Sequence, residues 1–117
     1  MPQAEMAIFT RSFDLIVWLL PITNNFPRAQ RHTVTRRLLD AVLDLRERLE
    51  EANLRQHTAR QACLEMGDEA LSRVRLYLRL ASQLGWLTAG QYRHVAAMVS
   101  EIGRLLGGWR KVTKAAT

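Results

Sequence analysis

The sequence predicts an all-α protein, an antiparallel up-down four-helix bundle occupying residues 1–117 as one domain. Three observations predict it. Apolar residues recur at three- and four-residue spacing in four segments, the period of a helix that buries one face. Only 3 Pro and 6 Gly are present, and they cluster at a few places, so the chain turns rarely. Its 117 residues suit one core, and long helices joined by loops of a few residues pack best as antiparallel neighbours. With 48% hydrophobic and 24% charged residues, the chain carries enough apolar surface to fold rather than stay disordered.

The first helix is expected from about Ala4 to Leu20, with Phe9, Phe13, Ile16 and Leu20 as its apolar stripe and Pro21 as its end. Thr23, Asn24 and Asn25 then read as a polar loop. The second helix is expected from about Pro27, a residue that suits a first turn because its missing N–H is not needed there, to Asn53. Val34, Leu38, Val42, Leu45 and Leu49 form its heptad-like stripe. Its opposite face carries Arg36, Asp40, Asp44, Glu47, Arg48 and Glu51, where pairs such as Asp44 with Arg48 sit one turn apart.

The third helix is expected from about Thr58 to Leu84, opened by the capping-box spacing of Thr58 and Gln61 and stopped by Gly85. Leu64, Leu71, Val74, Leu78 and Ala81 line its core face, and Cys63 reads as a buried, inert thiol. Thr88 and Gln91 form a second capping box at the start of the fourth helix. Tyr92, Val95, Val99, Ile102 and Leu106 line that helix, and Trp109 and Val112 extend the line. Gly103 and Gly107 share a face open to close approach by another backbone; the alternative is fraying after Gly107. Leu39, Leu43, Leu76, Leu80 and Leu105 fall off the main stripes, and such surplus apolar surface points to burial between subunits.

Charge is unevenly distributed. The chain has 17 Lys and Arg against 11 Asp and Glu, a formal net charge of +6. All the bases are Arg except Lys111 and Lys114; Arg grips phosphate in a planar fork and stacks on bases. A GC-rich or heat-adapted genome would explain the preference for Arg, but not the imbalance. Eight acids lie between Asp40 and Glu69, whereas eight bases against one acid, Glu101, follow Leu71. Those bases include Arg73, Arg75, Arg79, Arg104, Arg110, Lys111 and Lys114. A second basic patch comprises Arg28, Arg31, Arg36 and Arg37. Arg75 and Arg79 share a helical face, and like charges there cost stability unless an anion neutralises them. An antiparallel bundle brings the start of the second helix near the end of the third, so Arg28 and Arg31 are expected near Arg79. These eleven residues are the candidate nucleic-acid-binding set.

No catalytic chemistry is visible. His32, His57 and His94 lack metal-site spacing, and a lone cysteine supports neither zinc nor an intrachain disulfide. The late glycines follow no strand, so they form no phosphate loop. No Ser, His and Asp set can be assembled. Trp18, Trp86 and Trp109 sit near helix ends and read as packing anchors. The chain is therefore expected to be no enzyme and to need no cofactor. Its longest apolar run, Leu15 to Leu20, is too short to span a bilayer, and no secretory signal is visible, so a cytoplasmic location without membrane attachment is expected.

Three runs carry a family resemblance. Leu20-Pro21-Ile22 followed by Phe26-Pro27-Arg28 opens the second helix. Arg73-Val74-Arg75-Leu76-Tyr77-Leu78-Arg79-Leu80 occupies the third. Val99-Ser100-Glu101-Ile102-Gly103-Arg104-Leu105-Leu106-Gly107-Gly108-Trp109 closes the fourth. Over about Leu20 to Val112 the chain resembles the accessory variability determinants (Avd) of diversity-generating retroelements. These belong to the wider group of four-helix bundles encoded in intervening sequences of bacterial 23S ribosomal RNA genes. The resemblance implies a homopentamer that binds the retroelement's reverse transcriptase and its RNA; DNA is the alternative polyanion for the basic surface. It also implies a role in mutagenic retrohoming, with catalysis left to the reverse transcriptase. It assigns nucleic-acid contacts to Arg28, Arg75 and Arg79; the first helix, with Arg11, matches less clearly. The alternatives are an intervening-sequence-type bundle without that partner and an oligomeric scaffold that touches no nucleic acid.

Overall fold

Four helices and one short 3₁₀ turn follow from where the chain can and cannot close its backbone hydrogen bonds. The computed structural model describes residues 3–116; Met1, Pro2 and Thr117, inside the expected domain span, lie outside the described residues. The helices are α1 (Gln3–Thr23), α2 (Val34–Leu54), α3 (His57–Gln83) and α4 (Ala89–Ala116), with the 3₁₀ turn at Arg28–Gln30.

Pro21 does not end α1, which runs on to Thr23. A proline in the last turn removes one hydrogen bond where few remain to be lost. The chain then tightens: Asn24, Asn25 and Phe26 each donate an N–H to the carbonyl three residues back, and the Thr23 hydroxyl donates to the Leu20 carbonyl at 3.0 Å. Pro27 opens only the 3₁₀ turn, so α2 starts later than the sequence predicts. Thr33 interrupts the helical path at φ −120° and ψ −103°, and its hydroxyl turns back to the Gln30 carbonyl and side chain.

Only Arg55 and Gln56 join α2 to α3, in extended backbone, and His57 starts α3 at φ 53°. The helix thus begins one residue before Thr58, and the Thr58–Gln61 box is not made: no side chain caps this end. The exit from α3 is a full glycine cap. Gly85, at φ 78°, donates its N–H to the Ser82 carbonyl, and Trp86 donates to Ala81 at 2.8 Å. The second capping box does form: the Thr88 N–H donates to Gln91 Oε1 at 2.9 Å, and the Gln91 N–H donates to Thr88 Oγ1 at 3.0 Å. Helix α4 then passes unbroken through Gly103, Gly107 and Gly108.

Each helix packs against two others, in the cyclic order α1, α2, α3, α4, and the diagonal pairs do not meet. This is an antiparallel four-helix bundle 45 Å long. Leu38, Val42, Leu45, Leu71, Val74, Leu78, Val95, Val99 and Ile102 are buried as the spacing predicts, and so are Cys63 and Leu106. The stripe of α1 is rotated by one residue. Ile8, Ser12, Leu15 and Leu19 face the core, while Phe13 and Leu20 are 57% and 45% exposed. Ser12 hid this stripe, because a hydroxyl breaks the apolar period; its Oγ is satisfied by the Ile8 carbonyl at 2.7 Å. Leu105 also proves buried rather than surplus.

The tryptophans tie helices and connecting segments together. Trp109 meets Phe9 edge to face at 5.9 Å, with Arg60 over its ring at 5.7 Å; Trp86 packs on Phe26 and Trp18 on His94. Among the described residues, no helix is long and apolar enough to cross a membrane.

Candidate nucleic-acid interface

Which bases are free to meet a polyanion depends on which acids already hold them. Four of the eleven candidate residues are paired. Arg36 lies 3.8 Å from Asp40, Arg73 is 3.5 Å from Asp44 of α2, Arg104 is 2.6 Å from Glu101, and Arg110 is 3.3 Å from Asp68 of α3. Asp44 is thus drawn across to α3 and Arg48 pairs with Glu51, so the expected Asp44–Arg48 pair is not made. The fork from Arg104 lowers the pKa of Glu101, chiefly through its hydrogen bond, and the same bond raises that of Arg104. All four pairs are well exposed, so each contributes little to stability.

The bases outside the eleven divide in the same way. Arg46 forks onto Glu50, donates to the Phe9 carbonyl at 2.6 Å and lies over the Phe9 ring. Arg60 donates to the Ala52 carbonyl at 2.9 Å. Both are structural ties. Arg93, on the exposed start of α4, forms no ion pair with a described carboxylate.

Arg28, Arg31, Arg37, Arg75, Arg79, Lys111 and Lys114 are exposed and make no ion pair with any described carboxylate. They do not form one surface. Arg28 and Arg31, with paired Arg36, line a cleft of about 410 Å³ where the end of α1 meets the start of α2. Arg75 and Arg79 line a smaller groove of about 210 Å³ between α3 and α4, with Tyr92, Val99 and Ser100. Both lie at the same end of the bundle, as expected. In the cyclic order, however, the α1–α2 and α3–α4 grooves are on opposite sides, so Arg28 and Arg31 share an end with Arg79 but not a cleft. Lys111 and Lys114 sit toward the far end of α4, whose last turns adjoin Gln56, His57 and Arg60.

Two features of the α3–α4 groove were hidden in the sequence. Tyr92, assigned to the core stripe, is half-buried and exposes part of its ring beside two arginines, an arrangement that can stack a base and hold its phosphate. Gly103 makes room for Arg75: a β-carbon there would lie 2.5 Å from Arg75 Nη2. The close approach offered by this glycine is thus used by a guanidinium of the same chain, not by a neighbouring backbone. Gly107 has open space around it.

The sequence profile of the bAvd-like family matches residues 6–113. No curated protein matches the chain. Among solved structures, the chain is similar to a protein of unknown function from the S23 ribosomal protein family of Bacteroides thetaiotaomicron VPI-5482. The TM-score is 0.84 at 16% identity, covering 93% of this chain and 99% of the other. At that identity the likeness concerns the fold.

Proposed function

The chain belongs to the bAvd-like family, and from that premise we propose that it is a non-catalytic accessory protein of a diversity-generating retroelement. In this reading it binds the reverse transcriptase and its template RNA and so supports mutagenic retrohoming. The observation that carries the RNA half is the sorting of charge. The acids of α2, α3 and α4 hold Arg36, Arg73, Arg104 and Arg110, while Arg28, Arg31, Arg75 and Arg79, around two grooves at one end, form no ion pair with a described carboxylate. A fold that leaves arginines close together without acids carries a repulsive cost that a phosphate backbone removes. Wrong protein partners would be rejected partly by the same charge.

The test is RNA binding followed by fluorescence anisotropy across a salt series. Affinity should fall with a log–log slope of about −0.7 per single-strand phosphate neutralised. The double variant Arg75→Glu, Arg79→Glu should weaken binding to every RNA sequence by about tenfold or more. It should also flatten the slope by roughly 0.7 for each phosphate no longer neutralised. Its helix content should stay intact. Unchanged affinity in a folded double variant would remove the α3–α4 groove from the interface. Co-expression with the reverse transcriptase of the same retroelement supplies the partner arm, and a complex at low salt is expected. RNA binding without that complex would favour an intervening-sequence-type bundle.

A further inference from the structure

The cleft between the end of α1 and the start of α2 holds features that a solvated basic face does not need. Arg28 and Arg31 stand at its edge without an acidic partner among the described residues, and Arg36 is held by a 3.8 Å contact to Asp40. Helix α2, 21 residues long, starts here with no side-chain cap and no acid in its first turn. Thr33, the residue placed to cap it, turns its hydroxyl to Gln30 instead. The first N–H groups of a helix carry a partial positive charge and lack acceptors within the helix. Beside them, Thr35 lines the cleft with only 9% of its surface exposed, and its Oγ1 is buried without a hydrogen-bond partner. Buried hydroxyls almost always find a partner, so this one is suited to an acceptor that a ligand brings. The remaining wall is mixed: Phe26, Leu39 and Leu43 are apolar, Thr23 and Asn24 are polar, and Asp40 brings one carboxylate, which faces Arg36 and leaves the three arginines of the cleft in excess.

We propose that this cleft is a discrete site for one nucleotide phosphate, gripped by Arg28, Arg31, the Thr35 hydroxyl and the free amides of α2, with the nucleoside against Leu39 and Leu43. The chemistry matches on each side. A phosphate oxygen accepts from the Thr35 hydroxyl and the amides, as at other helix N-termini, and two guanidinium groups balance its charge. The cleft, at about 410 Å³, lies within the roughly 300–1,000 Å³ of ordinary ligand pockets. The inference rests on the nucleic-acid reading for the source of the phosphate but concerns the cleft opposite Arg75 and Arg79. It assigns that cleft saturable, local binding where the other groove takes diffuse contacts.

Amide NMR titrations test it, with inorganic phosphate, a nucleoside monophosphate and a short RNA bearing either a 5′-phosphate or a 5′-hydroxyl, all at constant ionic strength. Saturable shifts centred on the amides of Val34, Thr35 and Arg36 are expected with phosphate. The variant Thr35→Val keeps shape and removes only the hydroxyl. It should bind phosphate about tenfold more weakly with unchanged or higher thermal stability, because the hydroxyl it removes was unpaired. Preference for the 5′-phosphorylated RNA would identify an end-binding site, equal binding of the two RNAs a backbone site, and preference for the monophosphate a free-nucleotide site. Absence of saturable shifts, or equal phosphate affinity in Thr35→Val, would overturn the proposal. RNA affinity that persists while phosphate leaves α2 unmoved would sink the cleft alone. Phosphate in the cleft without RNA affinity would sink the wider reading alone.

Discussion

Leu78 and Leu76 sit two residues apart on α3 and face opposite ways, 2% and 57% exposed. The heptad spacing places Leu78 in the core and Leu76 off it, so this pair reports the helical register directly. Leu78→Ala removes buried methyls and leaves a cavity, and should cost about 2–5 kcal/mol in urea unfolding. Leu76→Ala should change stability by no more than about 0.5 kcal/mol. Equal losses would mean that α3 is rotated. Single residues also explain where the sequence misled. A buried serine made the α1 stripe look as if it ran through Phe13 and Leu20, because Ser12 reads as polar until its bond to the Ile8 carbonyl is seen. The orphaned hydroxyl of Thr35 carries no sequence signal, since only the packing around it decides whether threonine finds a partner.

Helix ends were less legible than helix faces. Burial depends on a period repeated over many residues, whereas an end depends on one or two local bonds. Thr58–Gln61 and Thr88–Gln91 have the same spacing, yet only the second closes reciprocally. The first fails because the two-residue link after Leu54 brings His57 into α3 and leaves Thr58 inside the helix. Thermal unfolding should separate the two. Thr88→Ala should lose about 0.5–2 kcal/mol, the usual worth of a capping side chain. Thr58→Ala should be neutral or slightly stabilising, because alanine is the better residue within a helix. A loss at both sites would show that Thr58 caps after all. The same locality explains why Pro27 opens a 3₁₀ turn rather than α2: proline fixes its own φ, but Thr33 decides whether the helix continues.

At the scale of the whole molecule, an apolar face of α1 has no partner among the described residues. Phe13, Val17 and Leu20 of α1 are 57%, 55% and 45% exposed and recur at four- and three-residue spacing, so they form a single strip along the helix. Arg46 reaches from α2 across the Phe9 and Phe13 rings, at 5.1 and 5.8 Å, and borders the strip on one side. Its extent was only half visible in the sequence, which credited Phe13 and Leu20 to the core and sought the surplus on the other helices. A monomer gains nothing from three large side chains in water on one face, whereas a self-associating bundle buries them. Native mass spectrometry should therefore give a homo-oligomer, with five copies the expected number from the family. Val17→Glu should shift it to monomer at micromolar concentration. A carboxylate buried at the subunit interface without a partner costs several kcal/mol, yet on the exposed surface of a lone bundle it changes stability by only about 0.5 kcal/mol. Helix content should thus survive while the assembly does not. A wild-type monomer, or a Val17→Glu oligomer of unchanged mass, would place the interface elsewhere and leave the α1 strip for the polymerase or another partner.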